Sequence, residues 1–300
     1  EKDFWLVWVL DRLFGHAQLQ KILQFKGGTS LSKAYNLIGR FSEDIDLILD
    51  WREVTQDDPH HARSKTQQNK FNEATNEQAR IYIKEKLLPE ITGLLAPLCD
   101  CHIEGSDGFI VYVRYPSAFK HVYLRSEILL EIGPLASWLP SALVAIQPYA
   151  ANYYPQAFTR TECQVPTILA RRTFWEKATI LHQEAHREKG KPIPSRYSRH
   201  YYDLASLARA DVRKEALADL ALLKDVVDFK QRFYPSAWAK YELATPGSFK
   251  LLPPEERFSE LEKDYQAMQA MIFDKALSFA EIIESLTKLE TDINALARLS

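Results

Sequence analysis

One stretch limits what this chain can fold into more than any other: residues 22–49. Residues 22–25 read as a short strand, Gly27 and Gly28 supply a turn, and 30–37 carry helical spacing. Asp44–Leu49 then alternates carboxylate with isoleucine and leucine, which is the period of a half-buried strand. Strand, turn, helix and strand in so short a span call for a sheet with helices packed on it.

The flanking sequence extends the pattern. Residues 1–23 have helical spacing, and 51–76 are a polar loop or insertion rich in Gln, Asn, His and Asp. Residues 78–95 read as a helix that stops or bends around Pro89. Strand-like runs follow at 101–104, 109–115 and 121–132, with a turn at 105–108. From Pro166 the character changes, and 168–187, 199–208, 214–233, 259–271 and 280–299 all read as helices. The expected fold is therefore α+β, with a mixed-sheet domain over 1–165 and an all-helical domain over 166–300.

Composition excludes a few classes. Apolar residues at 46% and charged ones at 26% describe an ordinary soluble globular protein. A net charge of -2 gives no global attraction for polyanions, so a phosphate or RNA must meet a local basic patch. Residues 170–201 offer one, with Arg171, Arg172, Lys177, Arg187, Lys189, Lys191, Arg196 and Arg199. Three cysteines argue against a disulfide framework and for a reducing cytoplasm, and Cys99 and Cys101 lack a second pair to complete a zinc site. No uncharged apolar run is long enough to span a bilayer, so no membrane partner is expected. His182 and His186 share a helix face, but Glu184 stands third in the run where the H-E-x-x-H hydrolase pattern needs it second.

The chemistry gathers at the opening stretch. Residues two apart on a strand face the same way, so Asp44 and Asp46 project together. Paired carboxylates suit hard Mg²⁺ or Mn²⁺ and, through them, a triphosphate. Seventeen aspartates supply about one such pair by chance, so context carries the weight. Here the pair lies among Ile45, Leu47, Ile48 and Leu49, one helix after a glycine turn whose backbone can approach a phosphate closely.

Lys26-Gly27-Gly28-Thr29-Ser30-Leu31-Ser32-Lys33 and Arg40-Phe41-Ser42-Glu43-Asp44-Ile45-Asp46-Leu47 together resemble the first motif of the AbiEii/AbiGii toxin family. These are nucleotidyltransferases of the DNA polymerase β-like superfamily, from type IV-style toxin–antitoxin and phage-abortive systems. Phe174-Trp175-Glu176-Lys177-Ala178-Thr179-Ile180-Leu181-His182 resembles the family's helical lysine motif, and Arg199-His200-Tyr201-Tyr202-Asp203-Leu204 its closing Arg-x-x-x-Asp-Leu motif. The resemblance implies a polymerase β-like sheet in the first domain and a helical domain that brings Lys177 and Asp203 to the cleft. It implies Asp44, Asp46, Lys177 and Asp203 as catalytic residues, with Mg²⁺ or Mn²⁺ on Asp44 and Asp46. Lys26, Gly27, Gly28, Thr29, Ser42 and Arg199 would then surround the NTP.

The family's third carboxylate has three candidates. Glu131 is preferred, because Leu129-Leu130-Glu131-Ile132 resembles the family's apolar-acid-apolar strand. Glu127 shares that face with Tyr123, Arg125 and Leu129, and Asp50 is in phase with Asp44 and Asp46. One departure stands out. The family often carries an arginine seven residues after the lysine, where this chain has Glu184, leaving Arg187 or Arg172 to substitute.

The expected activity is transfer of a nucleoside monophosphate from an NTP to RNA, with pyrophosphate leaving. By resemblance the acceptor is a tRNA 3′ end, the consequence is blocked translation, and a cognate antitoxin opposes the enzyme. Two other readings fit the same residues: transfer to a protein or small-molecule hydroxyl, and a non-catalytic nucleotide-sensing module that binds a partner.

Overall fold

The computed structural model describes residues 1–105, 107–119, 126–273 and 276–298, and the chain divides into two compact units. The first comprises Glu1–Tyr35 and Ser42–Ile168, the second Asn36–Phe41 and Leu169–Ser300. The short segment that precedes the aspartate pair thus belongs with the helices. The boundary expected at 165–166 lies inside the last strand of the first unit.

The first unit runs α1 (Lys2–Gly15), α2 (Leu19–Ile22), β1 (Leu23–Lys26), α3 (Gly27–Lys33), β2 (Asp44–Leu49), α4 (Lys65–Tyr82), α5 (Leu88–Leu95), β3 (Asp100–His102), β4 (Ile110–Arg114), β5 (Glu127–Gly133), β6 (Ser141–Ile146), α6 (Tyr149–Tyr153) and β7 (Cys163–Ile168). The strands form one mixed sheet in the order β3-β4-β5-β2-β1-β7-β6, with β2 at its centre. β2 runs parallel to β5, and β1 parallel to β7; the other neighbours are antiparallel. Residues 121–125 of the expected strand at 121–132, Tyr123 and Arg125 among them, lie outside the described residues.

Patterning explains why β2 sits as it does. Leu6, Leu10 and Leu13 recur at helical spacing on α1 and are fully buried with Phe25, Leu47 and Ile132 from three adjacent strands. Full burial of each such side chain stabilises by roughly 1.5–3 kcal/mol. A slip of one residue in β2 would turn Leu47 out of this core and Asp46 into it, so the register is strongly specified. On the other face Lys26, Asp46 and Glu131 stand side by side in register.

Several expectations need correction here. The polar stretch at 51–76 is a 3₁₀ turn (Trp51–Glu53), a loop and then α4, which begins well before residue 78. A capping box starts that helix: Ser64 Oγ accepts from the Gln67 N–H, and Gln67 Oε1 accepts from the Ser64 N–H. A π-helical turn, Ile83–Leu87, precedes Pro89, which has no N–H to offer the carbonyl four residues back. β6 and β7 had not been expected at all. Pro166, read as the start of the helical half, lies within β7 opposite Leu143.

The second unit contains α7 (Ala170–Ala185), α8 (Ser198–Ala208), α9 (Val212–Ala218), α10 (Leu220–Phe233), α11 (Phe258–Met268) and α12 (Phe279–Ala295). The helix expected at 214–233 is two helices, because Asp219 caps α10 by accepting from the Leu222 N–H at 3.0 Å. α8 packs against α7, α11 and α12. Residues 36–41 are held to this unit by backbone bonds, from Phe41 N–H to the Met271 carbonyl (2.7 Å) and from Phe273 N–H to the Gly39 carbonyl (2.9 Å). The Gly39 N–H also donates to the Tyr202 hydroxyl at 3.2 Å.

Candidate active site

In the first unit the candidate residues are set by one tight turn. Gly27 opens α3 with φ +84°, and a Cβ there would stand 1.9 Å from Asp46 Oδ2. Only glycine fits, both for the backbone angle and for the carboxylate lying over it. The start of β2 is fixed from two sides. Thr29 is fully buried, and its hydroxyl donates to the Asp44 carbonyl. Glu43, pointing away from Asp44, pairs with buried Lys2 of α1 at 3.3 Å. Ser30 donates to the Gly27 carbonyl at 2.8 Å.

Asp44 and Asp46 are thereby held on one face, both half-buried, with exposed Glu131 beside Asp46 on β5. Parallel neighbours lie about 4.8 Å apart, within reach of a common cation. Among the described residues no three His, Cys, Asp or Glu side chains converge as a ready metal cage. Lys26 is half-buried in register with Asp46, and Gly28 and Ser42 are half-buried beside the turn and ahead of β2. The other two acid candidates are engaged elsewhere. Glu127 accepts two bonds from Arg114, at 3.0 and 3.1 Å, and Asp50 caps the turn at Trp51 and pairs with Arg52.

The second unit holds a compact buried constellation. Lys177 on α7 approaches Asp203 Oδ2 on α8 at 2.8 Å and His200 Nδ1 at 3.0 Å. Arg40, from the 36–41 segment, grips the same carboxylate as a fork, Nε to Oδ1 at 2.7 Å and Nη2 to Oδ2 at 2.8 Å. Asp203 is fully buried. Burial alone would raise its pKa, but Arg40 and Lys177 outweigh burial and hold it below the usual carboxylate range. Lys177 is pushed down by burial, helped by Arg40 and Arg199, against the pull of Asp203. Burial, with Lys177 and Arg199, drives His200 well below its ordinary value, so it is neutral. Its Nδ1 is then free to accept from the Lys177 ammonium.

Residues 8–285 match the model of a protein family described as nucleotidyl transferase AbiEii toxin, type IV TA system. The chain belongs to the AbiEii nucleotidyltransferase toxin family. None of the curated proteins matches it. Among solved structures, the nucleotidyltransferase toxin MenT4 from Mycobacterium tuberculosis is similar at 20% identity and TM-score 0.45, over 98% of this chain and 92% of that one. The JHP933 protein from Helicobacter pylori is similar at 14% identity and TM-score 0.48, over 98% and 91%.

As an AbiEii-family member the chain is a nucleotidyltransferase, which implies an NTP substrate and an antitoxin in the same system. Among the described residues no helix is long and apolar enough to cross a membrane. The family motifs also expose what sequence reading missed. Arg40 stands inside the first motif, yet its carboxylate partner is 163 residues away, and nothing in local spacing links the two. The substitutes suggested for the missing arginine are both engaged. Arg172 is buried against Glu176 (3.2 Å) and Asp225 (2.6 Å), and Arg187 pairs with Glu184 at 2.6 and 2.8 Å. Within the basic stretch Arg172, Lys177 and Arg187 thus belong to ion pairs inside the second unit, whereas Lys189, Lys191 and Arg196 are exposed. His182 is structural: its Nδ1 accepts from the Lys250 N–H at 3.1 Å and its Nε2 donates to the Lys240 carbonyl at 3.0 Å, so neither nitrogen is left for zinc.

Proposed function

We propose that this enzyme transfers a nucleoside monophosphate from an NTP to the 3′ hydroxyl of an RNA, a tRNA in particular, and so stops translation in the cytoplasm. The acceptor oxygen bonds to the α-phosphorus, the bridging P–O bond to the β-phosphate breaks, and pyrophosphate leaves. The observation that carries the reading is the environment of Lys177. Its ammonium is fixed 2.8 Å from Asp203 and 3.0 Å from His200, with Arg40 on the same carboxylate, so a cation is held pre-positioned for the charge of a polyphosphate.

Asp44 and Asp46, with Glu131 in register, are hard oxygen donors that fit Mg²⁺ or Mn²⁺. Such an ion, when bound, would screen triphosphate charge and ease ionisation of the attacking hydroxyl. The chain's own residues do the rest. Lys26, Gly27, Gly28 and Ser42 line the phosphates, and Thr29 acts by tying α3 to β2. Lys177 and Arg199 meet the charge that gathers on pyrophosphate, and Asp203 keeps Lys177 in place.

The test is incubation of purified protein and Mg²⁺ with total RNA and each of the four labelled NTPs in turn. Label on tRNA, lost in Asp46→Ala, is expected. Label on no RNA from any NTP rules out this acceptor, and label on protein instead moves the acceptor to a protein hydroxyl.

A further inference from the structure

Four side chains of the second unit are linked in series, Arg40 to Asp203 to Lys177 to His200, and the reaction proposed above uses only some of them. Arg40 is a member of this set to which that reaction gives no part. It nevertheless makes the most directional contact in the constellation, two parallel N–H···O bonds to Asp203 at 2.7 and 2.8 Å. The fork fixes the plane of the Asp203 carboxylate, because both oxygens are engaged at once. That plane decides where Oδ2 lies, and Oδ2 is the atom 2.8 Å from the Lys177 ammonium. Lys177 is a flexible four-carbon chain, and its ammonium also meets His200 Nδ1 at 3.0 Å.

We propose that Arg40 is a positioning residue for nucleotidyl transfer, acting through the Asp203 carboxylate to hold the Lys177 ammonium where the leaving pyrophosphate needs it. The backbone is arranged to keep Arg40 in place. Its neighbours Gly39 and Phe41 are each bonded to the chain at 271–273, Arg40 bridges to Ile272, and the Phe41 and Phe273 rings meet edge to face. Asp44 begins only four residues beyond Arg40, so one short peptide carries both the clasp and the carboxylate strand.

Arg40 also sets the charge environment. The groups facing Lys177 are Asp203, His200 and Arg199 on α8 and Arg40 on its own segment. Removing the guanidinium leaves Asp203 to Lys177 alone, so the ammonium should hold its proton to higher pH.

This inference rests on the role of Lys177 in the proposed reaction, and the experiment keeps the two separable. Steady-state transfer from NTP is measured for the full chain, Arg40→Met and Arg40→Lys, beside the ¹⁵N resonance of the Lys177 ammonium followed through a pH titration. Arg40→Met is expected to lose about 100-fold in kcat, the scale of a 1 Å misplacement, with KM for NTP within about threefold. Its Lys177 resonance should titrate at higher pH than in wild type, and added guanidinium should restore both rate and titration. Arg40→Lys keeps a buried cation without the fork, so it guards against simple unfolding and should still lose more than about tenfold. A folded Arg40→Met with wild-type kcat overturns the proposal. So does a loss that guanidinium leaves unrestored while the Lys177 resonance stays put. If wild type turns over no NTP, the functional reading falls, and the Lys177 titration alone decides whether Arg40 governs that lysine.

Discussion

Asp46 Oδ2 occupies the space into which a side chain at position 27 would grow: a Cβ on Gly27 would stand 1.9 Å from that oxygen and 2.6 Å from the carboxylate carbon. The glycine turn and the aspartate strand are therefore one device. The turn brings its backbone against the carboxylate, and the carboxylate's position depends on there being no side chain beneath it.

Gly27→Ala tests this directly. Two costs arise: strain at φ +84°, about 1–2 kcal/mol, and displacement of the Asp46 carboxylate. Gly190→Ala, at φ +82° with nothing within 4 Å, carries the strain alone. Denaturant unfolding should show comparable destabilisation from strain in both. NTP turnover should fall more than about tenfold in Gly27→Ala only. Equal turnover in the two variants would show that the contact with Asp46 is irrelevant.

The acidic residues around β2 should separate in a Mg²⁺ titration of activity. Glu131→Gln is expected to raise the Mg²⁺ concentration for half-maximal rate about tenfold, on the scale of a change at a metal site. Glu127→Gln loses only its Arg114 partner and should stay within about twofold, as is usual for an exposed pair. A larger effect at Glu127 than at Glu131 would reverse the assignment.

Asp203→Asn removes the anion that Arg40 and Lys177 share. Leaving buried cations without it should cost about 3–5 kcal/mol in a urea unfolding experiment at pH 7. A cost below 1 kcal/mol would mean that the side chains rearrange to water.

Stability should fall as pH drops below about 6.5. His200 is held neutral well below its ordinary value, and burial brings His182 down to about 4. In each case the unfolded chain takes up a proton that the folded chain refuses. The stabilisation is complete above the unfolded value near 6.5 and is lost as pH falls towards the folded values. Each histidine contributes a slope of about 1.4 kcal/mol per pH unit in that window. Asp203 adds nothing there, because its depressed pKa matters only below about pH 4. Urea midpoints at pH 7, 6 and 5 check the slope, and His182→Gln should flatten it by one proton. A flat profile would place both histidines in water.

Sequence revealed most where local rules were sufficient. The turn at Gly27, the β2 pattern and helices α7 and α8 follow from glycine freedom and apolar period, and they appear within a few residues of expectation. Sequence was silent where distance along the chain decides structure. β7 carries Pro166 inside a strand, and α4 is so rich in Gln and Asn that its helical period was hidden, although Ser64 and Gln67 mark its start. Arg40 was legible as part of a motif but not as the partner of Asp203. The same blindness made a basic wall of Arg172 and Arg187, whose acids lie on α7 itself and on α10.

The most direct test of the account uses one NTP labelled at either the α- or the γ-phosphate, given to wild type and to Asp46→Ala with RNA and Mg²⁺. The account predicts that α-label joins the acceptor while γ-label leaves in pyrophosphate, and that Asp46→Ala and chelation of the metal each abolish both. Transfer of the γ-label to the acceptor, or full α-label transfer by Asp46→Ala, would contradict it.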